Sequence, residues 1–596
     1  MVESDANLSV DCKLLQDATL KKFKQYKTLL QGDDKSNDVP FWDIVVITGG
    51  DEEQARSYEL QLNEKLSNKE IPLCTKYYVF ADPKGPKIGN GGATLHALEQ
   101  LEQKVPEDYL NNAKILLLHA GGYSQRLPHV SVIGKIFMAL PFGNPMYQML
   151  EMLLVMYIDF PAKMNPGVFV TASDIIFLFD TNGDWSFTGA GFTAIGLPES
   201  VEIGTTHGVY VPTDMNALRS ECKKDPAKTV FMCEVKQFLH KVTPEIMESN
   251  GAVIPGTKQV YVDNSYYFDR ATAKRLNEFY LKHKPLTCEI DAYGDFLQAL
   301  GPDANSEYTT NTVNVTEETA DLVHIRKLVF DLLKGTNLKV ILFHQGIFIH
   351  TGTTKEYLYH YCHSDVMKQT CGSQNEVMVK YMHAIEQQVS EDNLKKPKRS
   401  LFTDCYLMHS VVEDPESVTM LKDSVIEFCH IESGVAVQEN CILSNLHIPA
   451  NSTIPASSYL HTVAVTVSDE LKYATFAFDI YDSMKASVPF ERRSDLPWYG
   501  TTMGQALQSL HIDSLSEVWP SPCDKYTLWN AKLFPTFSSR KDSANYAIKM
   551  IGVLRGAYQG ALPKSNGFKV ALCDMLKHKS VKQLLDDHKH LKLLIH

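Results

Sequence analysis

Short, unbroken apolar runs that alternate with helix-length amphipathic stretches constrain this chain more than any other feature. WDIVVIT (42–48), TKYYVFAD (75–82), KILLLHAGG (114–122), PGVFVTASD (166–174) and FTAIGLP (192–198) each read as a buried strand. Between them lie DEEQARSYELQLNEKL (51–66), with an acidic first turn, a glycine-rich loop that runs into a helix (83–102), and the helical run NPMYQMLEMLLVMYI (144–158). Strands alternating with helices predict an open, mostly parallel α/β sheet with helices on both faces. Such sheets bind ligands beyond the carboxyl ends of their strands. The Lys- and Leu-rich stretch 13–31 reads as a solvent-facing helix.

The pattern changes after residue 400. SEDNLKKPKRS (390–400) is charged, is broken by Pro397 and reads as a surface loop or linker. Beyond it, Val412 and Val418 are six residues apart, as are Val425, Ile431 and Val437, and Ile442, Ile448 and Ile454. Six-residue spacing suits neither a helix nor an alternating strand. It suits the corners of a parallel β-helix, with a few ordinary short strands as the competing reading. Helical runs at 544–555 and 579–594 and aromatic loops such as YTLWNAKLFP (526–535) follow, with no fold legible from pattern. The expected division is a domain over 1–340, a β-helix over 341–465 with a linker near 365–400, and a mixed C-terminal region over 466–596.

At 596 residues the chain is too long for one core. Its 58 Lys and Arg against 71 Asp and Glu give a net charge of -13, which speaks against nucleic acid as a partner. A few focused cations can still hold one small polyphosphate. The 12 cysteines form no C-x-x-C pair and read as free thiols of a reducing compartment. MVESDANLSV does not read as a signal peptide, and no apolar run approaches the roughly 18–20 residues that span a bilayer. A cytoplasmic protein without a membrane partner is expected.

The strongest chemical signal is KILLLHAGGYSQRLPHVSVIGKIF (114–137). A buried strand ends in Gly121-Gly122, and the following loop presents Ser124, Arg126 and Lys135. Glycines let a backbone approach phosphate closely. Arg126 offers a planar fork of donors and Lys135 a point charge. A tight turn with two solvated cations is the competing reading of so short a motif. The loop is no Walker A sequence, because Lys135 is followed by Ile136 and not by Ser or Thr. Gly89-Asn90-Gly91-Gly92-Ala93 lacks the spacing of a dinucleotide fingerprint, which argues against a redox enzyme.

LLLHAGGYSQRLPHVSVIGKIF resembles the signature loop of the sugar-phosphate nucleotidyltransferases, in the form carried by their GDP-fucose pyrophosphorylase branch. The wider superfamily shows G-x-G-x-R and then Pro-Lys. Here Gly122-Tyr-Ser-Gln-Arg126 is followed by Gly134-Lys135. WDIVVIT, KIGNGGATLHAL, FGNPMYQMLEMLLVMYIDFP, IGTTHGVYV, CEIDAYGDFLQALG, HTGTTKEYL and LWNAKLFP resemble the same branch, in order, over roughly 42–535. The resemblance implies a Rossmann-like open mixed sheet of the GT-A type followed by a left-handed parallel β-helix. It implies that the phosphate of L-fucose 1-phosphate attacks the α-phosphorus of GTP with Mg2+ present, releasing pyrophosphate.

By the same resemblance Arg126 meets the β- and γ-phosphates and Lys135 the α-phosphate, while Gly121, Gly122 and Ser124 line the nucleotide. Gly89, Gly91, Gly92 and Thr94 hold the guanine or a phosphate at a helix start, with a plain helix-entry turn as the alternative. Asp174 is the expected magnesium carboxylate, against a helix N-cap. Asp263 is the expected second metal ligand. Asn264, Lys241, His207 and Asp291 are expected around the sugar phosphate. Lys241 holds the place of the lysine in an E-K-P motif whose Glu is here His240, and Tyr293 and Asp295 accompany Asp291. The spacing of Asp291 and Asp295 does not establish a glycosidase pair. A silent member that binds GTP or GDP-sugar as a sensor or scaffold is the alternative function. An acyltransferase β-helix lacks an evident histidine. A homo-oligomer through the β-helix is left open.

Overall fold

A computed structural model of the protein describes residues 11–31, 40–143, 147–225, 227–312, 318–382, 405–565 and 568–595. By internal contacts the chain divides into two compact units. One is Met1–Gly122 with Leu150–Ile349, and the other is Tyr123–Met149 with His350–His596. The signature loop beyond Gly122 therefore belongs to the second unit, as do residues 466–596, where the sequence suggested a first domain running to 340 and a separate C-terminal region.

The first unit is built on a nine-stranded sheet. Its strands are β1 (Ile44–Gly49), β2 (Lys76–Ala81), β3 (Lys114–His119), β4 (Gly167–Ala172), β6 (Phe192–Ser200), β7 (Gly208–Pro212), β8 (Val230–His240), β9 (Gln259–Asp269) and β10 (Leu338–Phe343), with β5 (Ile175–Phe179) outside it. The order is β2-β1-β3-β4-β9-β6-β10-β8-β7. The first four strands run parallel, as their apolar runs predicted. β9 then enters antiparallel to both β4 and β6, and β8 is antiparallel to β7 and β10. The sheet is therefore mixed and not mostly parallel. Register aligns the carboxyl ends of the parallel block, with Gly49 opposite Ala81, Thr48 opposite His119 and His119 opposite Ala172.

Helices α1 (Cys12–Gln31), α2 (Glu52–Ser67), α3 (Gly89–Lys104), α4 (Arg270–His283) and α5 (Leu322–Leu333) belong to this unit. α3, α4 and α5 share one core with the sheet, through Leu95, Leu98, Leu276 and Val329. α1 is not solvent-facing throughout. Leu15 and Tyr26 are buried, and so is Lys22, whose ammonium stands 3.2 Å from the centre of the Phe179 ring.

The second unit contains a coil of stacked parallel strands. Val425 pairs with Ile442 and Ile442 with Tyr459. Ile431 pairs with Ile448, and Val437 with Ile454, on two further faces. Each partner lies seventeen residues on, so the six-residue spacing is one face of a turn that advances by six, six and five. All seven side chains are buried. The chain turns between faces at residues with positive φ that also recur every seventeen, such as Asp423, Asn440 and Ser457. Asn and Asp tolerate this left-handed conformation better than most side chains.

Part of the expected linker is structured. Glu376–Tyr381 is a strand paired with Cys405–Val412. Met367–Cys371 is helical, and 383–400 lies outside the described residues. Beyond the coil, Ser458–Val467 and Glu470–Asp479 form an antiparallel pair, and helices α6 (Arg540–Leu554) and α7 (Val581–Ile595) confirm the two helical runs. Among the described residues no helix is long and apolar enough to cross a membrane.

One carboxyl is enclosed in the coil. Glu427 accepts from Ser444 Oγ at 2.6 Å, and burial pushes it up to about 7 from an ordinary 4.5. The folded state therefore holds this proton more tightly than the unfolded chain does. The stabilisation is complete below about pH 4.5 and is lost as pH rises to about 7. Glu427→Gln is predicted to gain stability relative to the natural protein across that window, by up to about 3 kcal/mol. Thermal midpoints of both proteins at pH 4.5 and pH 8 check this, and a constant difference between them contradicts it.

Candidate active site

The carboxyl edge of the parallel block carries two glycine pairs, Gly49-Gly50 at the end of β1 and Gly121-Gly122 after β3. They approach so closely that a Cβ on Gly50 would stand 2.8 Å from Gly122 N. One buried side chain joins them. Gln54 Oε1 accepts from Gly50 N at 2.7 Å and from Gly122 N at 3.1 Å, and Gln54 Nε2 donates to Gly122 O at 3.1 Å. Gln54 is in the first turn of α2, whose N-cap Asp51 accepts from Gln54 N. Four residues further on, Tyr58 Oη donates to Ala120 O at 2.8 Å. The Gly122 amide, expected to face phosphate, is thus spent on Gln54. Asp51-x-x-Gln54 is legible in sequence as a helix start, but its reach to residue 122 is not.

α3 begins at Gly89, and its glycines serve close packing. Cβ atoms on Gly89 and Gly91 would stand 2.5 and 2.8 Å from Ile290 O, and one on Gly92 would stand 2.6 Å from Ile88 Cβ. Gly91 N donates to Ile290 O at 2.8 Å. Thr94, expected at the nucleotide, is placed against the sheet. It is fully buried, its hydroxyl donates to Asn90 O, and it lies 3.0 Å from His119 Nε2.

Gly89, Lys241 and Asp291 do come together, on the wall of a cavity of about 590 Å3. Lys241 follows β8 at φ +53, is exposed, and is held by its N–H to His207 O at 2.9 Å. Burial pulls its neighbour His240 down to about 4 against the pull of Asp291, so this imidazole is neutral at pH 7. Asp291 Oδ1 accepts from Tyr293 N at 2.9 Å. Asp291 N donates to Asp295 Oδ2, and Arg326 Nε donates to Asp295 Oδ1 at 2.6 Å. Arg326, Gln298 and Asn311 also line the cavity. None of these three carried a sequence signal, because α5 supplies Arg326 from 31 residues beyond Asp295.

Asp174 lies in the two-residue turn between β4 and β5, half-buried at the carboxyl edge, and not at a helix N-cap. Its position and exposure fit one carboxylate ligand of a magnesium ion, which commonly takes one or two carboxylates and leaves its other places to phosphate and water. Asp263 fits less well. It is buried, its Oδ1 accepts from Gly208 N at 2.9 Å, and burial pushes it up to about 7. That geometry suits a carboxyl that locks β9 to β7. Asn264 is also buried, its Nδ2 without a partner among the described residues. His207 Nδ1 lies 3.0 Å from Ile203 O. Among the described residues no group of three or more His, Cys, Asp or Glu is arranged to hold a metal ion by itself.

Ser124, Arg126 and Lys135 share one loop of the second unit. Arg126 is exposed, and Ser124 and Lys135 are half-buried. Ser131 Oγ donates to Ser124 O at 3.1 Å, which closes the loop on itself. Thr354 donates both its N–H and its hydroxyl to Arg126 O, each at 3.0 Å. Gly134 at φ +87 ends a helical turn, and Lys135 opens the next.

The model of the fucose pyrophosphorylase domain matches residues 107–539. The fucose-1-phosphate guanylyltransferase of Mus musculus is 38% identical over 603 residues, covering 98% of this chain and 98% of that protein. The human protein of the same description is 39% identical over 602 residues, covering 96% of this chain and 93% of that one. A bifunctional fucokinase/GDP-fucose pyrophosphorylase of Arabidopsis thaliana is 26% identical over 243 residues, covering 36% of this chain and 22% of that protein.

Removing the carboxamide that joins the glycine turns leaves two amides and one carbonyl without their partner. Gln54→Ala is predicted to cost about 1–3 kcal/mol of stability and to speed hydrogen exchange at Gly50 and Gly122. Unchanged exchange at both glycines contradicts the role given to Gln54.

Proposed function

The chain belongs to the fucose pyrophosphorylase family and is a nucleotidyltransferase, and on that footing we propose that it transfers GMP from GTP to L-fucose 1-phosphate. The products are GDP-L-fucose and pyrophosphate. The observation that carries this reading is kinship over nearly the whole length with two guanylyltransferases of that description. The finer features of the family, a GT-A type sheet and a left-handed coil, come with the same proposal.

A phosphate oxygen of fucose 1-phosphate attacks the α-phosphorus of GTP. The bond from that phosphorus to the bridging oxygen of the β-phosphate breaks, and pyrophosphate leaves with the electron pair. The protein's part is alignment and charge stabilisation. Arg126, exposed on its loop, takes the β- and γ-phosphates as a bidentate donor. Lys135 takes the α-phosphate, where charge builds as the new bond forms. The Gly121-Gly122 turn, fixed by Gln54, leaves room for a phosphate beside the backbone. Lys241 takes the phosphate of the sugar. Asp291 and neutral His240 take sugar hydroxyls in the cavity they line, with Arg326 holding Asp295 beneath them. Asp174 is the residue that would hold magnesium, which when bound neutralises phosphate charge.

Pyrophosphate release tests the proposal with four nucleoside triphosphates crossed against the 1-phosphates of fucose, glucose and mannose. Release with GTP and fucose 1-phosphate alone is expected. Lys135→Ala is predicted to lower kcat by about 10²–10³ while the thermal midpoint stays in place. Release with another pair contradicts the substrate assignment, and wild-type turnover in Lys135→Ala contradicts the role of the loop.

A further inference from the structure

The loop that carries Arg126 has little regular structure of its own, yet a phosphate donor must be held within about half an ångström of its working position. The main chain of residues 126–132 is gripped at three points by other parts of its own unit. Arg126 O accepts two hydrogen bonds from Thr354. Lys579 Nζ donates to Val132 O at 2.9 Å. Between them, Tyr459 Oη lies 2.7 Å from His129 N and 2.7 Å from His129 Nδ1.

The Tyr459 contact is two-pronged, to the main chain and the side chain of His129. A phenol hydroxyl has one proton, and a main-chain N–H can only donate. Tyr459 therefore accepts from His129 N, and its contact with Nδ1 is a second hydrogen bond whose direction follows the imidazole tautomer. Tyr459 and His129 are both buried, so neither exchanges this pairing for water. Tyr459 occupies a ladder position of the coil where Val425 and Ile442 stand beneath it. Aliphatic side chains fill that place in the two turns next below, with Tyr406 beneath them, so the coil stacks there without a hydroxyl. Its contact at hydrogen-bonding distance is with His129, three residues beyond Arg126.

We propose that Tyr459 and Thr354 are positioning residues for nucleotidyl transfer, and that the coil serves the reaction by fixing the main chain of the Arg126 loop. The inference rests on the reading that Arg126 binds the phosphates of GTP. Tyr459 and Thr354 act through the loop and are not assigned any contact with substrate.

Tyr459→Phe removes one oxygen and keeps the ring. In the full-length protein its kcat is expected to fall at least tenfold, with KM for fucose 1-phosphate changed less than twofold. His129→Asn places an oxygen near the position of Nδ1 and is expected to restore most of the activity lost in His129→Leu. A merely structural role would lower the thermal midpoint and the folded fraction but leave kcat per folded molecule unchanged, and would give no such rescue. Wild-type kcat in folded Tyr459→Phe overturns the proposal. If that variant does not fold, Thr354→Val carries the test, with a threefold or larger fall in kcat expected and no fall overturning the inference. Arg126→Ala run beside them separates the two readings. Full turnover in Arg126→Ala removes the phosphate-binding role of the loop. Loss there with wild-type kcat in the folded positioning variants removes only the positioning role.

Discussion

A single buried carboxamide, that of Gln54, holds together the edge from which the Arg126 loop departs. Two glycine turns meet there at a distance no side chain would permit, and Gln54 satisfies two amides and one carbonyl that would otherwise face each other unpaired. Everything on that edge follows from sheet register. The parallel block aligns its carboxyl ends, so the turns after β1, β3 and β4 emerge side by side. β9 then enters antiparallel and brings Asp263 and Asn264 to the same end from the other direction. Backbone approach at the glycines and side-chain chemistry at Asp174 are products of that alignment.

The second unit solves a different problem. A coil that advances seventeen residues per turn needs an aliphatic ladder on each face and corners that accept positive φ, and both are present. Into this apolar stack the chain sets a few polar groups, among them Glu427, Tyr459 and His461. Burial disfavours the charged form of such groups. His129, for example, is pulled down to about 3. A neutral imidazole can accept the Tyr459 proton, whereas a charged one could not. The Tyr459 hydroxyl is therefore spent on a contact to a loop, while other buried polar groups bond within the coil, Ser444 to Glu427 and Asn445 to Thr462 O.

What was legible in the sequence is what repeats locally. The parallel strands β1, β3 and β4 were legible because strands buried on both faces become continuous apolar runs, while β2, at the sheet edge, is buried only at Val79 and Phe80. The coil was legible because six, six and five residues per face leave a spacing no helix produces. The loop from Gly121 to Lys135 was legible because its residue types sit within fifteen positions. Contacts that join distant segments were not. Gln54 reaches Gly122 across 68 residues, Arg326 reaches Asp295 from another helix, and nothing periodic marks either. The burial of Thr94 was not legible because a hydroxyl at a helix start looks the same whether it faces a ligand or the sheet. Asp174 was placed at a strand end, but the two-residue turn into β5 depends on a pairing the local sequence does not encode.

The chemistry assigned to this chain is one displacement at one phosphorus, assisted by charge and geometry and involving no covalent enzyme intermediate. Lys135 is the residue on which that claim turns, since the proposal gives it charge stabilisation at the α-phosphate and no part as a nucleophile. The direct test is the stereochemical course at the α-phosphorus, followed with GTP made chiral there by sulfur substitution. A single in-line attack by the sugar phosphate predicts inversion of configuration in the GDP-fucose analogue formed. Retention would require two displacements through a guanylylated side chain, and would contradict the account.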